Sequence, residues 1–245
     1  NTYKPKTVKR KIATLKAFTH YLMIEDVIEI NPFNKIEISF REPVVLPKTI
    51  PINVIESILV EAYSKLKSSE TEYSKKTSVR DIAVLELLFA TGARVSEVCS
   101  LTPSSVNLDN HTVKFYGKGS KERIIQIENL NVRKALNNYV NVFDEEIKAS
   151  EYFFVNRLHN RLSEQSVREM IRKYTKLAEI NIHITPHMFR HTFATLLLEE
   201  DVDIRYIQRL LGHSSITTTQ IYTHVAMSKQ KEILSAKHPR NKIKI

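Results

Sequence analysis

Residues 185–222 read TPHMFRHTFATLLLEEDVDIRYIQRLLGHSSITTTQIY, and the rest of the chain takes its meaning from this stretch. Thr185 is a preferred N-cap residue, and Pro186 beside it has its φ preset for a first helical turn. A helix starting there puts His187 and Arg190, at i and i+3, on one face. A second short helix is predicted from Asp203, because Ile204, Ile207, Leu210 and Leu211 recur at helical spacing. Gly212 stands where a helix C-cap glycine belongs, with His213 directly after it. Thr217 to Thr219 is polar and reads as a loop or a helix start, and Tyr222 follows. Two histidines, an arginine and a tyrosine converging in this way point to a site for an anionic phosphate.

Two blocks further upstream extend the pattern. Ala90 to Glu97 reads ATGARVSE, and Gly117 to Arg123 reads GKGSKER. Taken in order with His187-x-x-Arg190, Leu211-Gly212-His213 and Tyr222, these blocks resemble the signature of the tyrosine recombinase (integrase) family. Their wording is most similar to the bacterial Xer branch, and the resemblance runs from about Thr49 to about Ala236. It implies a site made of Arg94, Lys118, His187, Arg190, His213 and Tyr222. It also implies a mainly α fold with a small antiparallel β-sheet, preceded by part of a helical core-binding domain.

Composition agrees with a polyanionic partner without naming one. The chain has 245 residues and a formal net charge of +10, a balance shared by nucleic-acid-binding proteins and by merely basic ones. The single cysteine, Cys99, rules out a disulfide framework within the chain. Its setting SEVCSL reads as an apolar helix face, so a buried, inert thiol is expected. No apolar run is long enough to span a bilayer and no signal-peptide pattern is present. The expectation is a cytoplasmic protein with no membrane partner.

The hydrophobic pattern divides the chain as 1–42, 43–51 and 52–245. Thr7 to Met23 reads as a helix with Val8, Ile12, Leu15, Phe18 and Leu22 on one side, and Asn31-Pro32 breaks it. So short a helical segment buries little alone, so residues 1–42 are expected to be a fragment of a helical domain, which the resemblance implies is an incomplete core-binding domain. REPVVLPKTIP, residues 41–51, carries three prolines and reads as a linker. Beyond it, Asn53 is the expected cap of a helix to about Leu66, and SSETEYSKKTS (68–78) reads as a polar loop. Helices are predicted over Arg80 to Ala90, Arg94 to Leu101, Asn131 to Phe143, Ser163 to Glu179 and Met227 to Ala236. Strands are predicted over Val106 to Leu108, Thr112 to Tyr116 and Arg123 to Ile127, with a brief extended piece at Tyr152 to Val155. The basic tail runs from Lys237 to Ile245.

Cutting a phosphodiester without a metal needs fixed positive charge on the non-bridging oxygens and a proton for the leaving 5′ oxygen. Arg94 and Arg190 suit the first task, since guanidiniums grip oxygens bidentately and stay charged. Losing such preorganised stabilisation costs ~3–4 kcal/mol of barrier. Lys118, on the turn between two strands, suits proton delivery. Lys121 is the rival, and family spacing favours Lys118. The resemblance makes Tyr222 the nucleophile, His187 its base and His213 a phosphate donor, through a 3′-phosphotyrosyl intermediate that needs no cofactor. A phenol of pKa about 10 needs such help.

Each residue also has a plainer reading. Arg94 is a candidate ion-pair partner for Glu97, which otherwise reads as support for the site. Lys118 is a candidate solvated hairpin charge, and His213 a candidate cation at a helix end. Tyr206, Tyr116 and Tyr139 look structural, with Tyr206 on the apolar side of its helix. His183, His187 and His191 mimic a zincin spacing, but Met188 stands where that motif needs Glu, and Pro186 leaves His183 outside the helix. No metal is expected, and His191 is expected to pack in the core.

The resemblance implies a double-stranded DNA recombination site as substrate and a cyclic homotetramer on it, with Met227 to Ala236 docking on a neighbouring protomer. The Xer likeness adds chromosome dimer resolution and a septal DNA translocase as partner. Three alternatives stand beside this reading: a phage or mobile-element integrase, a type IB topoisomerase, and a non-catalytic DNA-binding protein of the same fold.

Overall fold

The computed structural model describes residues 3–35, 48–117 and 122–212. Its elements follow in the order α1 (Pro5–Ile24), α2 (Ile52–Lys67), α3 (Glu72–Thr91), α4 (Val95–Cys99), β1 (Val106–Asn107), β2 (Thr112–Tyr116), β3 (Glu122–Gln126), α5 (Leu130–Val142), α6 (Asp144–Lys148), α7 (Glu164–Leu177), α8 (Pro186–Glu199) and α9 (Ile204–Leu211). Two units are distinguished, Asn1–Val45 and Leu46–Ile245.

In the first unit Pro5 opens α1, where a missing N–H costs nothing. The predicted break at Asn31-Pro32 is a short 3-10 turn, Pro32–Lys35. The Asn31 side chain organises it, with Oδ1 accepting from Phe33 N at 2.9 Å and bonding Thr19 Oγ1 at 3.2 Å.

The second unit is built around α3. From Val79 to Leu88 every apolar side chain is buried, because α2, α5, α7 and α8 all pack against this helix. A helix apolar on all sides belongs in the interior. Its start differs from the sequence reading: the polar stretch 68–78 is not a loop throughout, since α3 begins at Glu72. Thr71 Oγ1 accepts from Ser74 N, and Glu72 sits at the positive end of the helix dipole. The polar residues are the cap and first turns of a helix whose later turns are core. Two other caps also differ. Pro51, not Asn53, is the N-cap of α2, and Thr185 holds the N-cap position of α8 without a side-chain cap bond. Helix α6 was not anticipated.

The described strands form one antiparallel sheet in the order β1-β2-β3, with Val113 opposite Ile125 and Tyr116 opposite Glu122. Val113, Phe115 and Ile125 face the core. Behind them Tyr139 on α5 is fully buried; its hydroxyl donates to Phe153 O at 2.9 Å and accepts from Val155 N at 3.1 Å. The expected structural role of Tyr139 holds, and it fixes the extended piece that leads into α7. Cys99 is buried, as expected, and burial pushes its thiol up to about 12. Tyr116 and Tyr206 depart from expectation. Both are exposed, Tyr206 by 61%. The buried residues of α9 are Ile207 and Leu211, which leaves Tyr206 on the outer side.

Candidate active site

Two helices end at the same place, and an arginine holds their ends. α3 is closed by Gly92 and α9 by Gly212, each left-handed with φ of 58° and 64°. Glycine adopts that conformation without the Cβ penalty. At Gly92 the space also demands it, since a Cβ there would lie 2.5 Å from Phe193 Cδ1. Arg190, on α8 and 4% exposed, reaches both ends. Its Nη1 donates to the Gly92 carbonyl at 2.9 Å and its Nη2 to the Leu211 carbonyl. Helix C-termini carry orphan carbonyls and a negative partial charge, which offsets the cost of burying a guanidinium.

Two residues past Gly92, Arg94 is the N-cap of α4. Glu97, at the third position of that helix, folds back so that Oε2 accepts from Arg94 N at 2.7 Å. Oε1 accepts from Arg94 Nη1 at 2.9 Å, while the Arg94 side chain remains 35% exposed. The same carboxylate takes a bidentate grip from Arg123 on β3, Nη1 to Oε1 at 2.9 Å and Nη2 to Oε2 at 2.7 Å. Burial alone raises the Glu97 carboxyl; the Arg123 and Arg94 donors outweigh it and hold it below the ordinary carboxylate range. Glu97 is therefore an anion with two cations on it.

Arg123 has further neighbours. Its guanidinium carbon lies 4.9 Å from the Phe115 ring centroid, a cation–π distance. Its Nη1 lies 3.1 Å from where a Cβ would stand on Gly212. One frame thus joins the start of α4, the second strand of the hairpin and the C-terminus of α9.

Of the six residues singled out, Arg94, His187 and Arg190 fall among the described residues. Arg190 anchors the Gly92 carbonyl two residues ahead of Arg94, which links the two arginines through the backbone of that turn. His187 lies exposed in the first turn of α8, one turn before Arg190. His191, one turn further, is half-buried. Burial first, then the charges of His187 and Arg190, push its pKa down and favour the neutral ring. Lys118 with its rival Lys121, His213, Tyr222 and the Met227 to Ala236 helix lie outside the described residues. Among the described residues no group of three or more His, Cys, Asp or Glu side chains suits a metal ion. No described helix is long and apolar enough to cross a membrane.

Sequence reading missed Arg123 as part of this frame. Its one signal was its place at the end of the Gly117 to Arg123 block, where a charged residue on a short strand otherwise reads as surface. Glu97 pairs with Arg94, as the plainer reading of that arginine expected.

The domain is mainly helical, and Arg94 and Arg190 are each held by partners at the turn that follows α3. Comparison with known proteins gives the family. Residues 56–229 match the model of the phage integrase family. The chain is 58% identical over 238 residues to a tyrosine recombinase of Agathobacter rectalis, covering 97% of this chain and 78% of that protein. It is 39% identical over 240 residues to tyrosine recombinase XerC of Bacillus subtilis, covering 96% of this chain and 75% of that protein. Among solved structures, the crystal structure of XerA recombinase is similar with a TM-score of 0.63 at 30% identity, covering 97% of this chain and 78% of that one. The chain belongs to the phage integrase family and is a tyrosine recombinase, a DNA strand transferase that carries out site-specific recombination.

Proposed function

We propose that this recombinase cuts and rejoins duplex DNA through a 3′-phosphotyrosyl link to Tyr222, as an Xer-type resolver of chromosome dimers. The observation that carries the reading is the shared frame of Arg94 and Arg190, tied by Gly92 and Glu97. Two guanidiniums so placed suit a phosphate whose non-bridging oxygens gain charge during attack, and a preorganised pair does this without reorganisation. In this scheme the Tyr222 hydroxyl attacks phosphorus and gives its proton to His187. The bond from phosphorus to the 5′ oxygen breaks, and that oxygen takes a proton from Lys118. His213 donates to a non-bridging oxygen. Each phosphodiester lost is replaced by a phosphotyrosyl ester, so a 5′ hydroxyl from a second duplex reverses the step with no external energy source.

The names of the relatives support the biological side of this reading, XerC in Bacillus subtilis and XerD in Listeria monocytogenes. Two duplexes must be cut in turn, which calls for a cyclic tetramer on DNA with the Met227 to Ala236 helix reaching a neighbour. A septal DNA translocase is the proposed partner in the cell, and the cytoplasm is the proposed location. Residues 1–42 serve as part of a core-binding domain and residues 52–245 as the catalytic domain, with 43–51 as linker.

The test is a covalent trap. Duplexes nicked near the cut site release a short strand and strand the protein on DNA, and selection from a random library recovers the site itself. The expected product is a DNA adduct on Tyr222 in the wild type and none in Tyr222→Phe. Tight binding without an adduct would place the chain among non-catalytic binders.

A further inference from the structure

We propose that Arg123 is a positioning residue for strand cleavage, holding the Glu97 carboxylate so that it aims Arg94 at the scissile phosphate. The inference rests on the role proposed above for Arg94 and adds a residue that lies outside the six. Among the described residues Glu97 accepts four hydrogen bonds, and two of them come from Arg123. Oε1 is shared between Arg123 Nη1 and Arg94 Nη1, both at 2.9 Å. A carboxylate on a short helix with one partner can rotate about its last torsion. The bidentate fork removes that freedom, because two parallel N–H donors fix the carboxylate plane.

The seat of Arg123 is itself rigid. Its side chain is 8% exposed, lies against the Phe115 ring and is closed in by Gly212. Its Nε is buried without a hydrogen-bond partner among the described residues, so the side chain forgoes one bond to keep the fork on Glu97. Arg94, by contrast, is partly exposed and gives one side-chain hydrogen bond to Glu97. This is the division expected between a group that holds and a group that is held, and a guanidinium with five N–H donors that is 35% exposed can take a phosphate as well as Glu97. A lysine at 123 supplies charge without the fork, so it fixes the carboxylate less well.

The experiment uses the full chain and the site recovered from the covalent trap, with the rate of adduct formation read at saturating DNA. Two substrates are compared, one with the natural phosphate and one with a methylphosphonate at the scissile position. The methylphosphonate has a methyl group in place of one non-bridging oxygen and is neutral, so it lacks the negative charge that Arg94 balances in the proposed scheme. Arg123→Met is expected to slow the phosphate reaction by about 100-fold, the scale of a misplaced group, and the methylphosphonate reaction by less than about threefold. Arg123→Lys is expected between Arg123→Met and wild type on phosphate, with unchanged DNA affinity. An equal slowing on both substrates marks a merely structural residue and overturns the inference, as does a phosphate rate within about twofold of wild type. Should Arg123→Met melt below the assay temperature, Arg123→Lys carries the same two-substrate comparison. Failure of the wild type to form an adduct, or an adduct in Tyr222→Phe, counts against the proposed function instead.

Discussion

Arg190 Nη1 donates to the carbonyl of Gly92, 98 residues earlier in the chain, at 2.9 Å. That bond, with the one to Leu211, places a buried cation at the meeting point of two helix C-termini. The same side chain thus contributes to the fold and to the proposed phosphate grip. Arg190→Lys keeps the charge but cannot span both carbonyls. It is expected to destabilise the protein by roughly 2 kcal/mol through an unsatisfied buried carbonyl and to slow adduct formation by about 100-fold or more. Urea denaturation and the covalent trap read the two effects separately. Wild-type values in both would remove Arg190 from either role.

Gly92 meets two demands at once, a left-handed φ and a close approach of Phe193 and Leu211. Gly92→Ala adds a Cβ that strains the backbone and intrudes on an aromatic ring. The expected loss is about 2–3 kcal/mol, from the left-handed penalty and overpacking together, seen as a lower melting temperature. Relief through Phe193→Leu, which shortens the obstructing ring, should recover part of the loss. No recovery would mean that the backbone conformation alone sets the cost.

Cys99 is fully buried on α4, and burial pushes its thiol up to about 12. A neutral, enclosed thiol does not alkylate, because the thiolate is the reacting form. Iodoacetamide at neutral pH is expected to leave the folded protein unmodified by mass spectrometry and to label Cys99 fully in denaturant. Labelling of the native state would show that α4 opens, and with it the segment that carries Arg94 and Glu97.

Much of this site was legible because its parts are ones that physics restricts. The chain has four glycines, Gly92, Gly117, Gly119 and Gly212, and all four fall in the blocks that drew attention. Two of them close helices in the left-handed region, which few other residues tolerate. Pro186 marked the start of α8 for the same kind of reason. What was not legible depended on tertiary context. Thr71 turned a polar stretch into a helix start. Tyr206 followed a helical period yet faces outward, since α9 buries only one narrow side. Arg123 carries no local sign that it forks onto a carboxylate 26 residues away.

Two buried glutamates should respond to pH in opposite directions. Glu97 is held below the ordinary carboxylate range: burial opposes this, and the Arg123 and Arg94 donors prevail. A depressed carboxyl contributes stability above its unfolded pKa of about 4.3, which is lost as pH falls through the folded value. Glu86 on α3 is raised by burial, against the bond it accepts from Tyr63 Oη at 2.9 Å. A raised carboxyl contributes stability below that same unfolded pKa, and this is lost as pH rises through the folded value. Glu86→Gln keeps an acceptor for Tyr63 and removes the buried charge, so it is expected to raise the melting temperature at neutral pH and to gain little in acid. Glu97→Gln discards two charge-assisted pairs, so it is expected to lower the melting temperature at neutral pH and to flatten the decline below about pH 4. Melting curves from neutral to acid pH on both variants separate the two. Parallel shifts of the same sign would show that neither carboxyl is set by the surroundings described.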